Sequence, residues 1–195
     1  MAATLTKAML NDLHRGVAAI SLLPYGSSGV TSFANLDFSA ADQIFTLKDS
    51  FTISQGDPSV EEIKIDQGDV TIDSDTTQGE WSIAGNIPSV ASAVLAYFYE
   101  SANAMASVTV KGQGSGTANY TRGAAFFSTP KEVQATMLIE SASKKTAIVL
   151  ANVKMTVGLS KDDATNPAYL KLAGTILTNT ESTGKVGDFA VLYAE

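Results

Sequence analysis

The side chains best suited to chemistry are scarce in this chain. His14 is its one imidazole and it has no cysteine. Thiolate zinc ligation, a cysteine nucleophile and a disulfide framework are therefore excluded, and a serine hydrolase triad would have to take its base from His14. His14 stands beside Arg15 in a polar run, and no G-x-S-x-G nucleophile elbow occurs, so it reads as a surface or capping histidine. The run from Gly112 to Gly116 follows Val108 and Val110 as a phosphate-cradling loop follows a strand. What succeeds it, Thr-Ala-Asn-Tyr-Thr-Arg, is neither a helix start nor a Lys-Ser or Lys-Thr ending, and the reading is a mobile loop. Asp73-Ser-Asp75 opens like a calcium loop, but the glycine, Gly79, falls one place late and the position of the bidentate glutamate is Ala84. That stretch reads as a solvated turn. Catalysis would have to rest on carboxylates, lysines and tyrosines, and no paired-carboxylate spacing stands out. The expectation is a protein that is not an enzyme, with no cofactor and no metal site.

The distribution of acid is more informative. Asp57, Glu61, Glu62, Asp66, Asp69, Asp73, Asp75 and Glu80 share their stretch with a single base, Lys64. One account is a solvent-facing side of the strands, where acids serve solubility. A second is a channel wall whose charge repels a phosphate backbone and lets it slide without sticking. The formal net charge of −7 and a pI near 4.7 argue against gripping nucleic acid, which takes clustered Lys and Arg. Charged residues make up 17% of the chain where about 25% is usual. The exterior must then be rich in small polar residues, which suits broad contacts between subunits.

The elements that must carry these residues are mostly strands. At 195 residues the chain reads as one domain, since β sandwiches and barrels often reach that size undivided. Leu5, Met9 and Leu13 suggest a short amphipathic helix over 1–16 that ends at Gly16. Asn11, Asp12, His14 and Arg15 interrupt any signal-peptide core there, and no run of about 18 apolar residues exists to span a bilayer. Val17 to Leu23 reads as a strand, and Ile44 to Ile53 as one more. From Val60 to Ile83, apolar residues two apart (Ile63 and Ile65, Val70 and Ile72, Trp81 and Ile83) indicate a run of half-buried strands. Val90, Val94, Leu95 and Phe98 then lie at helical spacing behind Ser89 as cap, which predicts a helix over roughly 89–103. Val133 to Leu159 reads as a long hairpin turning at Glu140 to Lys145. Tyr169 to Thr178 and Asp188 to Ala194 close the chain as strands. The fold class expected is mainly β, a sandwich or open barrel with one packed mid-chain helix. Such sheets have edges with unpaired backbone groups, which makes them natural building blocks for rings.

In order and pattern the chain resembles the tail tube proteins of long-tailed bacteriophages and of related contractile injection machines. GVAAISLLPYGSSGVTSF is similar to their first strand and loop. FTISQGDPSVEEIKIDQGDVTIDSDTTQGEWSIAGNIPSVASAVLAYF looks like their central strands and packed helix. TILTNTESTGKVGDFAVLYAE is similar to their closing hairpin. The resemblance implies a structural virion protein made in the host cytoplasm, a homo-oligomer whose hexameric rings join inner strands into a β barrel and stack into a tube. Its implied partners are itself, other tail proteins and genomic DNA as a non-specifically conducted cargo, with no membrane. The acidic strands are then the candidate lumen lining, with Asp66, Asp69, Asp73 and Asp75 facing inward. The hairpin from Val133 to Leu159, with Lys144, Lys145 and Lys154, is the rival wall. Loops at Ser39 to Ser50 and Gly112 to Gly123 are candidates for contacts between rings. Two other readings stand beside this one. The first is another virion component, such as a tail terminator, baseplate or capsid decoration protein. The second is a carbohydrate-binding β module with a stacking face of Tyr97, Tyr99, Tyr120 and Tyr169.

Overall fold

The computed structural model describes residues 17, 19–65, 70–88, 92–105, 108–112, 116–120, 123–160, 168–181 and 186–194, with backbone alone for 62–65, 70–74, 92, 111–112 and 116–120. The chain is mainly β. Its strands are β1 (Ala19–Pro24), β2 (Asp42–Ile44), β3 (Thr52–Gln55), β4 (Ser59–Ile65), β5 (Val70–Thr77), β6 (Trp81–Ile87), β7 (Tyr99–Met105), β8 (Val108–Gly112), β9 (Gly116–Tyr120), β10 (Gly123–Pro130), β11 (Val133–Glu140), β12 (Thr146–Ser160), β13 (Tyr169–Ile176) and β14 (Phe189–Tyr193). One helix, α1 (Ser92–Phe98), and one 3-10 turn (Phe33–Asn35) complete the described elements.

An eight-stranded antiparallel sheet runs β2-β1-β11-β12-β13-β6-β3, with β14 added to β12. It is an open sheet and does not close into a barrel. Its pleat sorts the side chains by face. Val191, Ile148, Ile139, Ile20 and Ile44 stand opposite one another in a single row across five strands. Leu22, Met137 and Leu150 form the next row on the same face, and all three are buried. Farther along, Met155, Val157, Leu170, Leu172, Ile83 and Ile87 extend this apolar face, which packs with Phe98, Tyr99 and Phe126. The layer over it is therefore α1 and the two-stranded ribbon β7-β10.

The backbone of β12 requires partners along 15 residues. β11 serves Ala147–Met155 on one side, with a bulge where β12 steps from Leu150 to Val153 against Met137 and Ala135; there the Thr136 hydroxyl donates to the Ala151 carbonyl at 2.8 Å. On the other side β14 pairs with Thr146–Leu150 and β13 with Val153–Ser160. β13 and β14 lie in line along one flank, a correction to the closing hairpin expected of the C-terminal segment. The hand-over is pinned by Leu177 N donating to Asn152 O (2.9 Å) and Ala151 N donating to Asp188 O (2.8 Å). The excursion between them is held by Asn179. Its amide donates to Val30 O (2.8 Å) and Gly187 O (3.1 Å), its Oδ1 accepts from Val30 N (2.9 Å) and the Tyr25 hydroxyl (3.1 Å), and its backbone N donates to the Asp188 carboxylate (2.6 Å). Gly29, at φ 69°, abuts this hub: a Cβ there would stand 2.8 Å from Asn179 Oδ1 and 2.7 Å from Glu181 N.

Three further sequence expectations change in detail. The helix is shorter than 89–103, because Tyr99–Met105 forms β7 against β10. Its end is set by Lys131, whose backbone N donates to Phe98 O (2.7 Å) and whose Nζ donates to Ala96 O (2.9 Å), satisfying carbonyls that have no partner within the helix. The Ser89 cap lies outside the described residues, as does the helix expected over 1–16. The single strand expected over Ile44–Ile53 is two, β2 and β3, divided by a turn in which Asp49 takes φ 59° and Ser50 N donates to Leu47 O. Of the strands from Val60 to Ile83 only β6 joins the main sheet, while β4 and β5 form a separate ribbon whose described side chains, Val60, Glu61 and Asp75 among them, are exposed and not half-buried.

Among the described residues no helix is long and apolar enough to cross a membrane. Truncating the fully buried Met137 to Ala is expected to cost about 2–5 kcal/mol, through lost burial and a cavity. Asn179→Ala, which strands several backbone groups at the hub, is expected to cost about 1–3 kcal/mol. Urea unfolding at low protein concentration measures both, and Met137→Ala should be the larger loss.

Candidate assembly surfaces

Of the four acids singled out from the sequence, Asp66 and Asp69 lie outside the described residues. Asp73 stands on β5 opposite Ile63 of β4, and Asp75, exposed, stands opposite the exposed Glu61. Like charges directly across a strand pair repel, so the ribbon carries a local electrostatic cost along that position. The ribbon's root is closed by Gly56 N donating to Glu80 O at 2.9 Å. Gly79 faces the Gly56 carbonyl so closely that any Cβ would collide with it. Asp73 and Asp75 are on extended backbone and not in the wrap of a calcium loop, and among the described residues no three acids or histidines cluster as metal ligands would. His14 lies outside the described residues.

The expected loop from Gly112 to Gly123 contains a strand. Gly116–Tyr120 pairs back onto Val108–Gly112, so the glycines flank the bend of a hairpin, with 113–115 and 121–122 outside the described residues. The loop expected over Ser39–Ser50 likewise contains β2. In the rival wall, Lys144 (φ 57°) and Lys145 are exposed in the β11-β12 turn, and Lys154 forms a 2.8 Å ion pair with Glu132.

Three of the tyrosines considered for sugar stacking, Tyr97, Tyr99 and Tyr169, lie in or against the core. Tyr99 and Tyr169 are buried; Tyr99 donates to Val157 O at 3.3 Å. Tyr97 is half-buried against the core and meets Phe98 edge-on at 5.0 Å. Burial, and secondarily the charge of Asp42, pushes the Tyr97 phenol above its ordinary value. Tyr120 is described by backbone only. Tyr97, Tyr99 and Tyr169 do not share an exposed flat face.

The feature that sequence reading underrated is β14. Phe189, Val191, Leu192 and Tyr193 are all exposed, so the strand is apolar on both faces. Among the described residues it pairs with β12 alone. Phe189 stacks obliquely against Trp81 at 5.6 Å, placing the start of β14 beside the root of the acidic ribbon. The row that begins with buried Ile44 at β2 ends uncovered at Val191, which is 42% exposed. The available signal was the run Phe-Ala-Val-Leu-Tyr, in which no residue is charged or polar enough to mark a solvent side.

No family model matches this chain, and no curated protein does. Spectrophotometric titration tests the electrostatics: the phenol ionisation displaced to higher pH should be absent in Tyr97→Phe. In Asp42→Asn its midpoint should move part of the way down toward the ordinary value of about 10, because burial and not Asp42 is the larger cause.

Proposed function

We propose that this chain is a structural subunit that assembles with copies of itself, of the tail-tube kind its sequence resembles: rings that stack into a hollow tube and conduct DNA within a virion tail. The observation that carries the reading is β14. Soluble monomers protect an edge strand with lysine, proline, a bulge or a covering loop. β14 has no such residue, pairs on one side among the described residues and exposes large apolar side chains on both faces. Such a strand is an aggregation hazard in a molecule that works alone and an ordinary joint in one that works as an array.

Two further observations support it. The β4-β5 and β8-β9 ribbons hydrogen-bond to no other described strand, and a two-stranded ribbon alone is marginally stable in water, so neighbouring copies supply the missing packing. The acid of the β4-β5 ribbon is spread along a strand pair, with Glu61 and Asp75 opposed, as befits a surface kept clear of phosphate. In the assembled tube these acids, with Asp66, Asp69, Asp73 and Asp75 foremost, line the lumen.

Light scattering and negative-stain microscopy across a concentration series should show rings or tubes, and a chain that stays monomeric at high concentration would remove the proposal. Reversing Asp66, Asp69, Asp73 and Asp75 to lysine should leave assembly intact and impair passage of DNA. Single rings that never stack would favour a terminator-like component instead.

A further inference from the structure

We infer that the neighbouring copy joins at the outer edge of β14, and that it does so with its β2 flank, around Phe45. The inference rests on the assembly reading above and names the two surfaces that meet. At the level of β14 the sheet is a five-strand layer, β14-β12-β11-β1-β2. Each outermost strand pairs on one side only among the described residues. Both flanks end in exposed apolar side chains: Val191, Leu192 and Tyr193 on β14, and Phe45, 60% exposed, directly after Ile44 on β2. β14 brings no charge and β2 only Asp42, so no like-charge pair opposes the junction.

Strand direction selects between two ways of using these edges. Each neighbouring pair in the layer is antiparallel, so β14 and β2 both run opposite to β12 and therefore in the same direction. A rotation that preserves strand direction brings β14 of one copy beside β2 of the next as a parallel pair, a heterologous contact of the kind that builds rings when the rotation closes. A two-fold axis would instead set β14 against itself and stop at a dimer. The apolar row through Val191, Ile148, Ile139, Ile20 and Ile44 then continues from one copy into the next, and Val191 gains the cover it lacks.

The test uses the full chain with one flank blocked at a time. Phe45→Asp and Val191→Asp alter exposed positions, and unchanged urea unfolding verifies that each still folds. Each variant alone should need at least tenfold higher concentration than the parent to assemble. An equimolar mixture should form dimers and nothing larger, because each copy retains one sound flank. A Phe45→Asp protein that still dimerises alone while Val191→Asp does not would overturn the junction in favour of the two-fold contact. Assembly of either variant at parental concentrations would overturn it outright. A parent that never assembles sinks the assembly reading and the junction together, whereas a parent that assembles with indifferent variants sinks the junction alone. As a second readout, the chain lacks cysteine, so mixing Phe45→Cys with Leu192→Cys copies under copper-phenanthroline oxidation should yield one disulfide-linked heterodimer, and its absence in an assembling mixture counts against the junction.

Discussion

The backbone of β12 runs through fifteen consecutive residues, and no other described strand is long enough to serve a whole side. Buried backbone groups left unpaired are costly, so this requirement shapes much of the molecule. On one side β11 meets it for Ala147–Met155, with one extra β12 residue taken up between Leu150 and Val153. On the other side two strands share the work, β14 over the first part and β13 over the rest. The in-line placement of β14 follows from that division, and so does its exposure, because β6 and β3 extend the sheet beside β13 and not beside β14. A demand for backbone partners in the centre thus creates an apolar strand at the margin.

How much of this was legible in the sequence depended on the range of the interactions concerned. The β11-β12 hairpin was readable because Val133, Ala135, Met137 and Ile139 alternate and the polar turn at Glu140–Lys145 is local. The pairing of β14 with β12 was not, since the partners are 39 to 47 residues apart and register is decided by tertiary contacts. The helix end was misplaced for a similar reason. Its stop comes from Lys131, a residue distant in sequence that donates to two of its carbonyls, and sequence-local capping rules do not see it. β2 and β3 were merged because their apolar residues run on through Phe45 and Leu47, while the break depends on Asp49 adopting a left-handed conformation.

The candidate surfaces divide in the same manner. The acidic surplus between Asp57 and Glu80 was plain from composition, and β4-β5 gives it a physical form, a ribbon apart from the main sheet with carboxylates facing each other across the strands. The exposure of β14 was hidden, because Phe-Ala-Val-Leu-Tyr reads equally well as a fully buried strand. Hydrophobic content alone cannot say whether a strand has a neighbour on each side. That is a property of topology, and the low share of charged residues was the one global hint that part of the apolar content lies outside the core.

The pinched excursion between Leu177 and Asp188 has a corollary. β13 and β14 are each anchored to β12 by their own ladder, and the two backbone amides at Ala151 and Leu177 close the gap between them. Chain length within the excursion is thereby uncoupled from strand register: residues added between Glu181 and Val186 need shift neither ladder, and the entropic cost of a longer loop grows only slowly. The sheet beneath stays in phase whatever the number of residues inserted at that point.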